Sequence, residues 1–422
     1  MKTIKINDGL QKIIDYRGKT PPKSADGITL ISAANIKSGT LDFSRREFIS
    51  KEDYANWTTR GFTKPGDVLF TTEAPTAEVA FYPEEGIYQI SRRVIALRTD
   101  EKVLHNLYLF YLLQSPPVKQ RMLSANRGST VPRLLKTDIT QFTIKVPNYS
   151  QQKETAKTLA CLDRKIENLR KQNETLEQIA QTLFKHWFVD FEFPYDPSAS
   201  SGQRFAQGRP YKSSGGEMVP SELGAIPAGW RVGKLRELIE VNPREAIKKG
   251  NDVKYVDMKS LSTSSMEITG YIIRKFNSGS KFRNGDTLLA RITPCLENGK
   301  TAFVNLLDSD EVAYGSTEFI VMRAKSSCCP EYVYCLSRSE NFRDYAIKNM
   351  TGSSGRQRVP NDQVEDYELA ISELTTFQLF HNVCQPLFLK IESNQRQIQT
   401  LTQTRDALLP KLMSGQLRIQ EG

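Results

Sequence analysis

"RKIENLRKQNETLEQIAQTLFKHWF" occupies Arg164–Phe188, near the middle of a 422-residue chain. Its apolar positions recur at alternating steps of three and four. The stripe runs through Leu159, Leu162, Ile166, Leu169, Asn173, Leu176, Ala180, Leu183 and Trp187. That spacing predicts a helix with a coiled-coil seam. Extended from about Gln151 to Val189, such a helix is roughly 60 Å long. A narrow stripe in a soluble chain needs a partner, and the sequence supplies one.

Moving each position forward by 225 residues gives Cys384, Leu387, Ile391, Asn394, Ile398, Leu401, Arg405, Leu408 and Leu412. The same stripe therefore recurs near the C-terminus. Each stripe holds one Asn, a residue that costs stability in a seam and fixes register or partner. Pro386 lacks a backbone donor and clashes inside a helix, so this second helix is expected to kink or restart there.

The segments before the two helices also correspond. "KPGDVLFTTEAP" (Lys64–Pro75) matches "RNGDTLLARITP" (Arg283–Pro294) as turn, short apolar strand and polar loop. "NRGSTVPRL" (Asn126–Leu134) and "GSSGRQRVP" (Gly352–Pro360) are Gly/Ser loops carrying Arg and Val-Pro. A short strand follows each. The expected fold is mixed α+β: two globular domains separated by two long antiparallel coiled-coil helices, with a pseudo-twofold internal repeat. Expected boundaries are 1–148 for the first globular domain, 149–193 for the central helix and 194–226 for a linker. The second globular domain is expected at 227–372 and the C-terminal helix at 373–422. Gly, Pro and Ser mark Phe191–Trp230 as loop.

Charge follows the globular segments. Residues 1–148 carry 22 Lys+Arg against 15 Asp+Glu, and residues 227–372 carry 21 against 19. The helical segment 149–226 is balanced at 10 against 10. A basic surface suits a polyanion such as nucleic acid. No apolar run approaches the ~18 residues that span a bilayer. The N-terminal "MKTIKINDGL" lacks a signal-peptide core, and a cytoplasmic protein is expected. The six cysteines (161, 295, 328, 329, 335 and 384) form no C-x-x-C pair, so no metal site is expected.

Catalytic motifs are missing. The three histidines, His105, His186 and His381, are scattered. No Walker loop, no G-x-S-x-G elbow and no Asn/Asp-Pro-Pro-aromatic tetrapeptide occurs. The best candidate for catalysis is Asp286 with Glu297 and Lys300, an arrangement that could hold magnesium for a self-sufficient nuclease. A second alternative is a bivalent coiled-coil scaffold without DNA specificity. No catalytic residue and no cofactor is expected in the chain itself.

Binding residues lie on loops, where a rigid scaffold presents them. Arg, Lys, Asn and Thr read base edges or bind phosphate. The candidates in the first half are Arg17, Lys19, Lys23, Thr72, Arg92, Arg93, Arg127, Ser129 and Arg133. Those in the second half are Arg291, Thr293, Asn298, Lys300, Arg356 and Arg358.

Several longer stretches resemble the specificity subunit of type I restriction–modification systems. They are "DYRGKTPPKSADGITLISAANIKSG", "LFKHWFVDFEFP", "PYKSSGGEMVPSELGAIPAGW", "ARITPCLENGK" with "GSTEF", and "RDALLPKLMSGQLRI". The likeness covers nearly the whole chain, apart from a longer or altered linker at Tyr195–Arg209. It implies that each globular unit is a target recognition domain for half of a bipartite duplex DNA site. It implies that the helices set the spacing and dock two methyltransferase subunits, which restriction subunits join. S-adenosylmethionine, ATP and magnesium then belong to those partners. More apolar residues lie near the end of the central helix than one seam uses, so Ile179, Phe184, Trp187 and Phe188 are expected to contact a methyltransferase subunit.

Overall fold

The computed structural model describes residues 1–124, 132–195 and 209–419. They form two compact units. Unit 1 combines Met1–Glu167 with Gln399–Gly422, and unit 2 is Asn168–Ile398.

Unit 1 is built on strands β1 (Leu10–Asp15), β2 (Val68–Thr71), β3 (Val79–Phe81) and β4 (Val94–Thr99). They form an antiparallel sheet in the order β1-β4-β2-β3. Alternate residues of a strand face opposite ways, and here both ways lead into a core. Val68, Phe70, Ile95 and Leu97 pack with helix α1 (Asn106–Gln114). Leu69, Val94 and Ala96 pack on the other side with Tyr16, Ile31 and Trp57. Burial on two faces explains why "VLF" and "VIAL" read as unbroken apolar runs.

The first long helix, α2, spans Tyr149–Phe184 and continues into one π-type turn at Lys185–Val189. Unit 2 then contributes β5 (Ile239–Val241), β6 (Asp252–Val256), β7 (Ile272–Lys275), β8 (Ser280–Phe282), β9 (Thr287–Ala290), β10 (Thr301–Phe303), β11 (Ala313–Gly315) and β12 (Phe319–Ala324). Helix α3 covers Pro330–Arg338, and the second long helix, α4, covers Leu374–Ser414. One sheet runs β5-β12-β9-β10, so its strands stand in the order first, last, second, third, as in unit 1. A second sheet runs β7-β6-β11-β8.

Each unit contains part of both long helices. In unit 1, Ala156 and Leu159 of α2 share a core with Leu409, Leu412 and Met413 of α4. Arg405 pairs with Asp163 at 2.8 Å, and Tyr111 donates to the same carboxylate at 2.6 Å. In unit 2, the two seam asparagines meet: Asn394 Nδ2 donates to Asn173 Oδ1 at 2.8 Å. Further along, Trp187 meets Phe380 edge-on at 5.7 Å. Going up α2 from Asn173 to Trp187 means going down α4 from Asn394 to Phe380, so the helices are antiparallel here.

Three sequence expectations are corrected. Helix α4 does not restart at Pro386 but continues through it without a break. The proline is exposed, so the carbonyl it leaves without a donor can be hydrated on the solvent side. The Gly/Pro/Ser-rich stretch is not all loop: Met218–Ser221 and Gly224–Pro227 form a hairpin. Phe193, Tyr211, Ile226 and Trp230 are buried, with Phe193 stacked on Tyr211 and Trp230. Phe184, Trp187 and Phe188 are also buried, at 3%, 5% and 7% exposure. They pack on Tyr332, Phe377 and Phe380, because α3 and the start of α4 cover more of α2 than a single seam would.

One buried acid ties α2 into unit 2. Glu177 accepts from the Tyr334 hydroxyl and, at 2.8 Å, from the Met266 amide. Burial pushes its carboxyl up, against the pull of Tyr334, Met266 and Arg338. A raised folded value means that this group's contribution to stability is greatest in acid and is lost as pH rises through that value. Glu177→Ala leaves two buried donors unpaired, so unit 2 should lose about 2–4 kcal/mol in a denaturant titration.

Candidate nucleic-acid interface

Strands β2 and β9 each follow a Gly-Asp turn. Gly66 and Gly285 both sit at φ +89, a left-handed conformation that favours glycine. The aspartate after each is buried. Asp67 takes the Lys64 amide at 2.9 Å and a bidentate Arg98 at 2.8 Å. Asp286 takes the Arg283 amide at 2.8 Å and a bidentate Arg323 at 2.7 Å. Arg323 also reaches Glu245 at 2.8 Å. The Asp286 hydrogen bond raises the Arg323 guanidinium further and keeps it charged.

The loops that leave β2 and β9 are fixed at the opposite end of each strand. In unit 1 the Thr72 amide donates to the Arg93 carbonyl at 2.9 Å, and the Leu134 amide donates to the Thr72 carbonyl at 3.0 Å. In unit 2 the Arg291 amide donates to the Glu318 carbonyl at 3.0 Å, and the Val359 amide donates to the Arg291 carbonyl at 2.9 Å. Three loops are thus tied together in each unit by the same pair of bonds. Ion pairs cross the same place. Glu73 lies 2.7 Å from Arg93 and 3.7 Å from Arg133. Arg358 grips Glu318 with a shortest contact of 2.7 Å, which holds that carboxyl below its usual range.

In unit 1 a groove of about 320 Å³ brings together candidates from two sequence segments. Thr20, Lys23, Arg92 and Arg93 line it, together with Glu47. Arg92 reaches the Thr20 hydroxyl at 3.4 Å, and Lys23 pairs with Glu47 at the rim at 2.6 Å. The groove's donors are long cationic side chains, which suit phosphate or base edges.

Other candidates are turned inward. Arg17 is held by Asp15 at 2.6 Å, and Lys19 donates to the Trp57 carbonyl at 2.9 Å. Thr72 is buried, with its hydroxyl on the Arg93 carbonyl at 3.2 Å, so it knots loops together instead of presenting a donor. Arg291 donates to the Val359 carbonyl at 2.8 Å, and Lys300 to the Met258 carbonyl at 2.6 Å. Thr293 is half-buried beside Met350. Asn298 and Arg356 are exposed. Arg127 and Ser129 lie outside the described residues.

The magnesium-nuclease alternative finds no support in this geometry. Both Asp286 oxygens are committed to Arg323, and the Lys300 ammonium to a carbonyl. Among the described residues, the group that could hold a metal is elsewhere, at Cys329, Glu331 and His381, whose donor atoms lie within 4.8 Å of one another. There His381 Nδ1 already meets Glu331 at 2.8 Å. A hydrogen bond with Cys328 and burial push the Cys329 thiol up. The sequence hid this cluster because His381 lies 50 positions beyond Glu331. It also gave no prominence to "YIIRK" (Tyr271–Lys275), which is exposed throughout. No helix among the described residues is long and apolar enough to cross a membrane.

Comparison with known proteins adds a family. Residues 12–178 match the model of the type I restriction modification DNA specificity domain. The specificity subunit of type I restriction enzyme MjaIX of Methanocaldococcus jannaschii is 30% identical over 382 residues, covering 84% of this chain and 78% of that one. That of HindI from Haemophilus influenzae is 21% identical over 406 residues, covering 84% and 87%. The crystal structure of a type I restriction-modification S subunit from M. genitalium covers 97% of this chain and 95% of its own. Its TM-score is 0.56 at 12% identity, a likeness of fold.

Proposed function

Because the chain belongs to the family of type I restriction enzyme specificity subunits, we propose that its two units are target recognition domains, each reading one half of a bipartite duplex site. The subunit is the non-catalytic DNA-recognition part of its complex. Adenine methylation and ATP-dependent restriction are then the work of methyltransferase and restriction subunits, with S-adenosylmethionine, ATP and magnesium bound by those partners in the cytoplasm. The observation that carries this reading is the repeated three-loop knot, built at the same place on two sheets of the same strand order. It supports an internal repeat in which 1–148 and 227–372 are equivalent domains, joined by 149–193 with linker 194–226 and completed by 373–422.

In this reading the two long helices form an antiparallel coiled coil that sets the spacing. Their antiparallel contacts and the Asn173–Asn394 pair support it. A polar pair inside an apolar seam fixes register. Protein partners dock on what remains exposed. Ile179 is 42% exposed on α2, unlike Phe184, Trp187 and Phe188. Ile179→Asp should weaken co-purification with the methyltransferase about tenfold, as expected for the loss of one apolar anchor. An unchanged melting temperature would show that the effect is on docking. Undiminished co-purification would rule Ile179 out.

The whole reading is tested by co-expressing the chain with its cognate methyltransferase in a methylation-free host and mapping methyladenine. A split motif that appears only when both proteins are present is the expected result. Methylation by the partner alone would favour a scaffold that ignores DNA sequence.

A further inference from the structure

Strand β7 is the edge of its sheet, and all four of its residues are exposed. Tyr271, Ile272 and Ile273 are 39%, 58% and 61% exposed in succession. An open edge with adjacent β-branched residues is a hazard that proteins ordinarily remove. Here it is retained, with more cations than acids along the ribbon, although Asp252 stands opposite Lys275 and Glu311 pairs with Lys254. Arg274 and Lys275 complete the strand, and Lys248 and Lys249 stand exposed before its partner β6. Between Arg244 and Lys281 the chain has eight Lys+Arg against four Asp+Glu, a net +4. The whole segment 227–372 nets only +2, from 21 against 19, so the ribbon is basic beyond its surroundings.

The register arranges these groups. Tyr255 stands opposite Ile272, and Lys254 opposite Ile273. One face therefore carries Ile272 with Arg274, whose guanidinium lies 5.1 Å over the Tyr255 ring. The other carries Ile273 with Lys254, whose ammonium lies 5.1 Å over the Tyr271 ring. Arg274 is thus held beside Ile272 by an aromatic ring, whereas Lys254 beside Ile273 is also paired with Glu311 at 2.8 Å.

We propose that the β6–β7 ribbon enters a groove of the duplex, with the face of Ile272 against the bases and Arg274, Lys275, Lys248 and Lys249 on the phosphates. This rests on the DNA-recognition reading above and names the element that reads for unit 2. A two-stranded ribbon fits the major groove. Exposed isoleucines pack on thymine methyl groups or wedge between base steps. The lysines neutralise phosphates and release counterions. Protein interfaces are depleted in lysine, and a second copy of the ribbon would bring the same positive charge to the edge, so a polyanion fits better than a protein strand.

The test maps methyladenine with the co-expressed methyltransferase for the wild type, for Ile272→Ser with Ile273→Ser, and for Arg274→Gln with Lys275→Gln. The isoleucine variant should relax or lose one half of the split motif while the other half stays as it was. The cation variant should lower methylation evenly and leave both half-sequences intact. Wild-type motif and level in the isoleucine variant would overturn the proposal. So would loss of co-purification with the methyltransferase, which would place the ribbon at a protein contact. An unchanged melting temperature of the isoleucine variant checks that a change of motif does not come from misfolding. Absence of any split motif in the wild type would instead sink the DNA reading itself.

Discussion

Four residues inserted after Glu167, with four more after Ile398, should lengthen the unspecified spacer of the DNA site by about two base pairs. Both half-sequences should stay the same. The paired insertion follows from where the helices touch. Asp163 pairs with Arg405, and Asn173 with Asn394. Ten residue steps of α2 and eleven of α4 lie between those contacts, so the two helices must grow together. Four residues add about 6 Å and roughly 40° beyond a full helical turn. Two base pairs add about 7 Å, a close match in length. An insertion in α2 alone should instead cost stability, since one contact or the other loses register. A methylome with an unchanged spacer in the paired variant would refute the proposed spacing role.

Asp286→Ala should destabilise unit 2 by about 2–3 kcal/mol, less than the cost of breaking a fully buried pair, because Arg323 is only half-buried. Arg323 would keep Glu245, at 2.8 Å, but lose both bonds to Asp286. The Arg283 amide would lose its acceptor in the Gly-Asp turn as well. Replacing Arg323 with Met in the same chain should recover part of the loss, because no cation is then left beside the missing carboxylate and Glu245 keeps Arg283 at 2.7 Å. Denaturant titration of the two variants checks both numbers. A nuclease centre would behave differently: Asp286→Ala would abolish magnesium-dependent cleavage while stability held.

Periodicity made the long helices legible. A three-four apolar stripe reports burial directly, and the stripe residues of α2 are all buried or half-buried. The Gly-Asp strands were legible because local turn chemistry and an apolar run suffice to mark them. What the sequence could not show were matters settled by distant neighbours. Phe184 and Phe188 looked surplus to one seam, yet Tyr332 and Phe377 cover them from elements about 150 to 190 residues later. Pro386 looked like a break, and only its place on the exposed side of α4 makes it tolerable. The arginines of the candidate interface were visible as charges. Whether each faces outward depended on acids such as Glu318, 40 positions from Arg358. The exposed isoleucines of β7 escaped notice because β-branched residues in a strand ordinarily signal core.

The way unit 1 is divided along the chain has a consequence for its synthesis. Its core takes Leu409, Leu412 and Met413 from the last segment, after the 231 residues of 168–398 have been made. At ~5–20 residues per second, the nascent N-terminal segment waits about 10–50 s with Ala156 and Leu159 uncovered. Unit 2 is contiguous and can close as soon as it leaves the ribosome. The half of the chain that is translated first therefore cannot mature until the second half has been made, and holding chaperones should be found on it during that interval.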